Sequence, residues 1–586
     1  MPQACATLTL QTPNHAIIPV PNRRPILTLT LLLLLSALPT AAARSLPNFN
    51  LLDVRETNHE LYRAPGRAVV LFFTGTGCPI ARKCSPKLRA LQNTFQSQGV
   101  HFWIINSYPE ESPRDIRKEI MELGLRTMTY LLDSNQAVAM AYRVDRTAEV
   151  IAINTQTWEP FYRGAIDEQF AEGSEKPTTG TEYLKDALDA FLNNQPIPTE
   201  RTRPRGCRIT YARSDDPDKT PDYATEVAPI LRNKCAECHQ PDGVGPWSMN
   251  AHRRVANYAD MIEEVLTARR MPPWDPNPAY GSFQDEQRLS RDEVQTLIRW
   301  VQAGAPKGEG PDPLTEPMPP LPTWQLGSPD AILTIPEPQR IPASGVLDYR
   351  YVTVDNPFTE DVWLSGMEIK PGNAKVVHHV ILYVDRPGYN DPGNGAFFIG
   401  WAPGASALHY PAGTAKRLPK GSRLTLELHY TTCGSEQEDT TQVALFRANG
   451  PQTSEAETRF AIEWNLNIQP GDDEARHSAT YAFTQDTTLY GFFPHMHYRG
   501  KWMRYELLTP NGKKTTLLHV PRYDFLWQFS YYPTQPIQVP AGSWLLVTGA
   551  FDNSANNPAN PDPTKQVHFN QQSWDEMFIG FFEAAH

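Results

Sequence analysis

The sequence predicts a multidomain protein whose fold classes follow one another as α/β, α and all-β. Three observations predict this order. A continuous apolar run at 68–73, the pattern of a buried parallel strand, opens a region in which strands and helices alternate. Apolar residues at helical spacing follow the capping-box sequence at 290–293. From about residue 325 to the end, short alternating segments are separated by Pro, Gly and Asn turns, which is typical of β-sandwiches.

Length and composition bound the class of protein. The chain has 586 residues, enough for about three to four domains at roughly 150 residues each. With 54 Lys and Arg against 65 Asp and Glu, the formal net charge is −11, so the chain has no basic footprint for nucleic acid. Its 55 prolines suit loop-rich β architecture better than helical bundles. Seven cysteines in so long a chain do not make a disulfide scaffold.

Residues 1–44 have the order of a signal peptide. Two arginines at 23–24 precede the apolar run 25–35, and three alanines at 41–43 offer a small-residue cleavage site. An uncleaved membrane anchor is the alternative, but the run is shorter than the ~20 residues that a spanning helix needs. The sequence therefore predicts a periplasmic or secreted protein with no membrane span in the mature chain.

Residues 45–204 are predicted to form an α/β domain. The expected strands are 68–73, 100–105 and 149–153, and the expected helices run from about 79 to 95, 114 to 123 and 183 to 193. The order of strand, turn, Cys78-Pro79 and helix resembles the thioredoxin/peroxiredoxin superfamily. A cysteine at a helix N-terminus, with Arg82 and Lys83 nearby, should have a lowered pKa and be nucleophilic, so Cys78 is a candidate catalytic residue.

This domain departs from its relatives in three places. Ala81 stands where thioredoxins have their second active cysteine, and Gly75 stands where peroxiredoxins keep Thr. Ala148 takes the place of the cis-proline.

The cysteines left for pairing, once Cys5 is cleaved off and two are given to haem, are Cys78, Cys84, Cys207 and Cys433, which allow three connectivities. Cys84 points away from Cys78 on a helix, and Cys207 is an alternative partner; a thiol-redox role and a degenerate structural domain both stay open.

Residues 205–310 are predicted to form a small helical, cytochrome c-like domain. The sequence Cys235-Ala-Glu-Cys238-His239 is a C-x-x-C-H motif, which places two thiols and one axial imidazole under one edge of a covalently bound haem c. A redox pair or half a zinc site is the alternative, but no second Cys/His pair lies nearby in the sequence. Met271, on a proline-rich loop, is the preferred sixth ligand over Met249 and Met261.

A proline-dense linker, 311–324, leads to two predicted β-sandwiches, 325–455 and 456–586. His495 and His497 alternate along a strand-like stretch, so both imidazoles project from one face and can clip a metal ion. His429 points away from the apolar face of its strand, as either a ligand or a solvated residue. His378 and His379 are adjacent, so both can bind one ion only if the strand ends or bulges there.

These motifs together resemble the type II copper, ascorbate-dependent monooxygenases, the relatives of peptidylglycine α-hydroxylating and dopamine β-monooxygenases. The shared pattern is His378-His379, then Leu428-His429-Tyr430, then His495-x-His497, then Asp575-Glu576-Met577. The resemblance implies two jelly-roll-like sandwiches with one copper each. It assigns His378, His379 and His429 to an electron-transfer copper, and His495, His497 and Met577 to the copper that activates oxygen.

Two residues depart from the pattern of the peptide-amidating relatives. Phe493 replaces a substrate-binding Arg and Phe581 replaces a Tyr, so a peptide C-terminal carboxylate is not the expected substrate. The expected reaction is hydroxylation of an unactivated C–H bond, with O₂ and an apolar small molecule or peptide as partners. The electron donor is unknown; the haem is a candidate. The alternative function is a non-catalytic copper-binding, electron-transfer protein with a thiol-redox role in metal or thiol homeostasis, and a sandwich that has lost copper is a third possibility.

Overall fold

The structure is a computed structural model that describes residues 45–109, 111–171, 174–176, 179–211, 220–241, 243–318, 322–385 and 396–586. The predicted signal peptide, 1–44, lies outside the described residues. Within the described ranges, every helix is too short or too polar to cross a bilayer.

The N-terminal domain is an α/β sandwich around a seven-stranded sheet. Strand β3 is fully buried and pairs in parallel with β4, as the apolar run at 68–73 predicted, and the sheet order is β2-β1-β5-β4-β3-β6-β7. Its strands are β1 Asn50–Asp53, β2 Asn58–Glu60, β3 Ala68–Thr74, β4 Val100–Asn106, β5 Thr129–Leu132, β6 Val150–Asn154, β7 Pro160–Gly164, β8 Phe170–Ala171 and β9 Ser174–Glu175. Its helices are α1 Pro79–Phe95, α2 Pro113–Glu122, α3 Ala137–Ala141 and α4 Tyr183–Leu192, with 3₁₀ turns at Leu61–Arg63 and Gln96–Gln98.

The next region is helical and has its own apolar core. Its helices are α5 Ala228–Lys234, α6 His252–Ala256, α7 Ala259–Thr267 and α8 Arg291–Gln302, with a π-helical turn at Tyr223–Val227 and a 3₁₀ turn at Pro313–Thr315. The predicted capping box is present, because Ser290 accepts the Glu293 N–H and the Glu293 carboxylate accepts the Ser290 N–H. Trp300, fully buried, anchors α8 in this core.

The C-terminal region consists of two β-sandwiches, each of which has two sheets packed face to face. The first contains β10 Ala331–Thr334, β11 Gln339–Ile341, β12 Arg350–Val354, β13 Val362–Lys370, β14 Val377–Asp385, β15 Ala396–Trp401, β16 Leu408–His409, β17 Thr414–Leu418, β18 Arg423–Tyr430, β19 Gln437–Asp439 and β20 Gln442–Arg447. The second contains β21 Ser454–Ile462, β22 Asn467–Ile468, β23 Ala475–Ala482, β24 Thr487–His495, β25 Gly500–Leu508, β26 Lys514–Val520, β27 Ile537–Val539, β28 Trp544–Phe551, β29 Val567–His568 and β30 Ile579–Ala585.

One sheet runs through both sandwiches. Its order is β10-β20-β13-β17-β21-β30-β24-β27, with β16 paired to β13 as the ninth strand, and the parallel pairing of β17 with β21 joins the two halves. The outer sheets, β12-β18-β14-β15 and β23-β28-β25-β26, each cover one half. Beside the junction, the buried Lys416 ammonium lies 3.0 Å from the Glu583 carboxylate, which also accepts the Tyr410 hydroxyl at 2.5 Å. The sandwiches are thus joined by backbone and by buried charge.

A segment of the helical region packs directly on the second sandwich. Asp275 forms a 2.7 Å ion pair with Arg522, and Phe283 is part of the apolar core of that sandwich. The ring of Trp274 meets Phe529 at 6.1 Å and Tyr531 at 5.5 Å between centroids. The segment between α7 and α8 therefore holds the helical region beside the sandwich.

Candidate redox sites

Three buried histidines form a cluster in the first sandwich. His379 on β14 lies directly opposite His429 on β18, and the register of the pair shifts between Val377 and His379. That irregularity is the bulge required for His378 and His379 to face one site, since adjacent residues of a regular strand point to opposite faces. His429 is only 6% exposed, because β18 is covered on both faces, so the solvated alternative for it is wrong.

The three imidazoles have the spacing of metal ligands. One ring nitrogen from each lies within 4.8 Å of the others. The Nδ1 atoms of His378 and His379 are 3.2 Å apart, and two nitrogens that share a tetrahedral ion at ~2.0–2.1 Å are separated by roughly 3.3 Å. Nε2 of His378 and Nδ1 of His429 are buried without a hydrogen-bond partner. Such orphaned nitrogens are costly unless something binds them.

Burial keeps these imidazoles in the neutral form that binds metals. It lowers the pKa of His378 to about 4 and the pKa of His429 to about 2, and it holds the pKa of His379 well below its ordinary value. Neighbouring histidines of the cluster add to the effect for His379 and His429. At neutral pH each ring therefore has a free lone pair.

His495 and His497 form a second site whose rings are oriented by other residues. The rings are 5.3 Å apart and perpendicular. The His497 Nδ1–H donates to the backbone oxygen of Asp575 at 3.3 Å, and the Gln528 side-chain oxygen accepts from Nδ1 of His495 at 2.8 Å. The Gln528 amide N–H₂ donates to Phe525 O, which fixes the orientation of the amide. Each His thus presents Nε2, and Nε2 of His497 is buried without a partner.

The backbone around Met577 runs beside this second site. The β24–β30 ladder ends where His495 pairs with Ile579, and Met577 precedes Ile579 by two residues. The carboxylate of Glu576, fully buried, accepts the backbone N–H of His497 at 2.8 Å and of Arg499 at 2.6 Å, so 575–577 runs alongside the H-x-H segment. Burial raises the pKa of Glu576 to about 8. The sequence pattern places Glu576 next to Met577 but does not predict that its carboxylate anchors the H-x-H segment.

A single aromatic ring joins the two histidine sites. Phe525 stacks on His378 with 4.6 Å between ring centroids and an interplanar angle of 24°. The same ring meets His497 edge-on at 6.0 Å. Phe525 follows β26 in a loop of the second sandwich, so its contact with His378 crosses between the sandwiches, which the sequence alone does not indicate.

Aromatic side chains border the second site. The rings of Phe493 and Phe581 each lie 6.2 Å from His495, and they stack on each other at 5.8 Å. Phe397 of the first sandwich packs against Phe581 at 4.8 Å. The two departures from the peptide-amidating pattern therefore belong to one apolar wall built by both sandwiches.

The C-x-x-C-H segment forms a tight turn after α5. The His239 backbone N–H donates to Cys235 O at 3.0 Å, and its ring Nδ1–H donates to Trp247 O at 3.0 Å, which leaves Nε2 available. Gly245 approaches this ring so closely that an added Cβ would lie 2.8 Å from Nδ1.

The three candidate sixth ligands differ in their surroundings. Met249 is 8% exposed and belongs to the helical core, whereas Met261 is 46% exposed. Met271 follows α7 and begins the segment that packs on the second sandwich. Its role as haem ligand stays a prediction.

Cys78 caps the N-terminus of α1 in the thioredoxin-like domain. Its sulfur lies 2.9 Å from the Thr147 hydroxyl and accepts from Ala81 N at 3.5 Å. Burial alone would raise the pKa of Cys78, but hydrogen bonds from Thr147, Ala81 and Cys207 outweigh it and the pKa is lowered, as predicted. The expected cause was wrong in part, because the Arg82 guanidinium pairs instead with Glu119 at 3.3 Å and with Glu122 at 3.1 Å.

A comparison with protein families bears on this N-terminal domain. Residues 42–159 match the model of the AhpC/TSA family, so the domain is thioredoxin-like, as predicted. A comparison with curated proteins finds no match.

Several solved structures are similar to a part of the chain. An uncharacterized conserved protein from Geobacillus kaustophilus is 32% identical, with 29% of this chain and 93% of that chain covered and a TM-score of 0.27. A hypothetical protein from Sinorhizobium meliloti is 23% identical over 29% and 95%, with a TM-score of 0.27. The thioredoxin domain of a thiol-disulfide oxidoreductase from Bacteroides vulgatus is 18% identical over 26% and 93%, with a TM-score of 0.19.

Proposed function

We propose that this protein is an exported oxidoreductase whose two sandwiches hold copper and hydroxylate an apolar substrate with O₂. The observation that carries the proposal is the presence of five buried histidines in two clusters, one in each sandwich, with Phe525 in contact with His378 of one and His497 of the other. The cluster at 378, 379 and 429 and the pair at 495 and 497 each include at least one buried nitrogen that lacks a hydrogen-bond partner. Imidazole suits both oxidation states of copper, and a thioether favours Cu(I).

The residues of each site have distinct tasks in this proposal. His378, His379 and His429 would hold the electron-transfer copper, and His495, His497 and Met577 would hold the other copper. Bound copper supplies one-electron transfer and the reduction of O₂. The Gln528 amide and the Asp575 carbonyl orient the imidazoles of the second site. Outer hydrogen bonds of this kind fix the ring tautomer and strengthen the ligand.

The aromatic wall favours an apolar substrate. Phe493 and Phe581 lie against His495, Phe397 packs on Phe581, and none of the three carries a charge. A carboxylate placed against these rings would lose its water without gaining a partner, at a cost of several kcal/mol. An aliphatic or aromatic C–H substrate loses no hydrogen bonds there.

Covalent haem c at Cys235, Cys238 and His239 is the proposed electron source. The Nδ1–H bond of His239 to Trp247 O leaves Nε2 as the axial donor. The segment that carries Asp275 and Phe283 packs the helical region against the second sandwich. A haem held by Cys235, Cys238 and His239 would supply one-electron transfer in a region that contacts the second sandwich.

A second candidate function is favoured by the thiol site. Cys78 at its helix N-terminus, within the AhpC/TSA match, suits a protein whose copper and haem only carry electrons in metal or thiol homeostasis. The two candidates differ in one product. Hydroxylation couples O₂ uptake to an oxygenated substrate, whereas an electron carrier forms no oxygenated product.

The deciding experiment uses the full-length exported protein. We expect two copper ions and one haem per chain by elemental analysis and haem staining on a denaturing gel. With reductant, ¹⁸O₂ and a panel of apolar molecules, we expect an ¹⁸O-labelled product whose formation requires His495. His568→Ala, at an exposed position, is the matched control. Copper-loaded protein that yields no labelled product across the panel would support the electron-carrier function instead.

A further inference from the structure

We propose that Cys78 and Cys207 form one redox-active cysteine pair, in which the second cysteine comes from the connector that follows the thioredoxin-like domain. Cys207 lies beyond the residues that match the AhpC/TSA family. Its backbone N–H and the Cys78 sulfur nevertheless contact the same Thr147 hydroxyl, each at 2.9 Å. The pair is independent of copper and haem.

Backbone contacts hold the connector against the Cys78 site. The Thr147 N–H donates to Cys207 O at 2.8 Å, and the Cys207 N–H donates to the Thr147 hydroxyl at 2.9 Å. The same hydroxyl lies 2.9 Å from the Cys78 sulfur. Gly206 allows this approach, since a Cβ added there would lie 2.0 Å from Thr147 O.

The other cysteines are less suited to pair with Cys78. Cys84 is 2% exposed on α1, and burial raises its pKa to about 12. Cys433 is exposed in the first sandwich, near Ser435. Of the described cysteines, Cys207 therefore combines nearness to Cys78 with an exposed sulfur.

The pair is asymmetric in a way that suits exchange with a protein partner. Cys78 is 5% exposed, whereas Cys207 is exposed. The pKa of Cys78 is lowered, whereas burial and the Cys78 thiol raise the pKa of Cys207. A partner can reach Cys207, and Cys78 is the better leaving group, because a thiolate of lower pKa leaves faster.

The exchange balances in atoms and electrons. In the disulfide form, a thiolate of a reduced partner protein attacks Sγ of Cys207, the Sγ–Sγ bond breaks and Cys78 leaves as a thiolate. A second partner thiolate then attacks the partner's own sulfur in the mixed disulfide and releases Cys207. The partner loses two electrons and leaves as a disulfide, and the pair gains them as two thiols. The reverse steps reduce a partner disulfide.

The first test maps the pair in the full chain. After equilibration with oxidised glutathione and alkylation, mass spectrometry should find the peptide of Cys78 linked to that of Cys207, and reduced glutathione should abolish the link. Gly206→Ala should shift the link to more oxidising buffers, since it pushes the connector away. Alkylation of both cysteines after oxidation, or a Cys78–Cys84 link, would overturn the pair.

The second test measures exchange with a protein substrate. The native protein with dithiothreitol should reduce insulin, and Cys207→Ser and Cys78→Ser should each slow this at least about tenfold. Cys433→Ser is the matched control and should leave the rate unchanged. In Cys78→Ser, the exposed Cys207 should accumulate a stable mixed disulfide with glutathione. If Cys207→Ser consumes hydrogen peroxide at the native rate and insulin reduction never depends on Cys207, Cys78 acts alone and the proposal fails.

Discussion

The two histidine sites differ in what orients their rings. In the first site, the imidazoles are placed by paired backbone: His379 faces His429 across a ladder, and a bulge turns His378 to the same side. In the second site, His495 and His497 lie at and beyond the end of β24 and are oriented by Gln528 and by Asp575 O. The first site thus depends on strand register, and the second on individual hydrogen bonds. They should respond differently to substitution.

The largest effect is expected from removing ligands of the first site. His378→Ala with His379→Ala should abolish binding of one of the two copper ions, because one imidazole cannot replace three. The second site should keep its copper, since its rings do not depend on the β14 bulge. Elemental analysis with copper EPR measures both. Loss of both ions, in a protein that keeps its native circular dichroism, would mean that the sites are not separate.

Removing the proposed thioether should affect the second site alone. Met577→Ala should weaken Cu(I) binding there and leave His378, His379 and His429 loaded, because a soft ligand favours Cu(I). The sulfur signal in Cu(I) X-ray absorption should disappear. The neighbouring methionine of the H-x-H segment, Met496, is fully buried in the core and is not a suitable control. An unchanged sulfur signal would assign Met577 to packing.

Removing a hydrogen bond to a ligand sharpens the comparison further. Gln528→Leu should lower copper affinity at the second site by about 10–100-fold, since the ring of His495 loses the partner that fixes its tautomer. The first site should be unaffected. Gln538→Leu, at an exposed position on β27, is the control. Equal losses at both sites would contradict the proposed difference between them.

The smallest expected effect concerns the ring between the sites. Phe525→Leu should leave both copper ions bound and slow electron transfer between them, because the side chain that contacts His378 and His497 becomes smaller. Anaerobic stopped-flow spectroscopy of singly reduced protein measures the rate. An unchanged rate would place the electron path outside Phe525.

The sequence predicts the parts of this molecule that rest on local patterns. The apolar run of β3, the capping box before α8 and the turn–cysteine–helix order at Cys78 follow from spacing and chemistry alone. The sequence does not decide whether His378 and His379 can face one metal ion. The register of β14 against β18 decides it. A local pattern predicts a strand or a helix but not the segments against which it packs.

Contacts between distant segments are outside the reach of one sequence. Phe525 meets His378, and Thr147 meets Cys207, across stretches with no shared motif. The expectation that Arg82 lowers the pKa of Cys78 failed for the same reason, since Glu119 and Glu122 come from α2 and its end. Residues that are brought close by tertiary packing therefore decide whether a charge near Cys78 in the sequence affects its pKa.

The shared nine-stranded sheet has a consequence for how a reaction could be timed. The pairing of β17 with β21 and the buried Lys416–Glu583 ion pair tie the two sandwiches together. A step that waited for two domains to swing together would slow in viscous solvents such as concentrated glycerol. The first site lies on the outer sheet β12-β18-β14-β15, the second lies at the end of β24 in the shared sheet, and Phe525 contacts both. Electron transfer between copper ions held at these sites should therefore be indifferent to solvent viscosity.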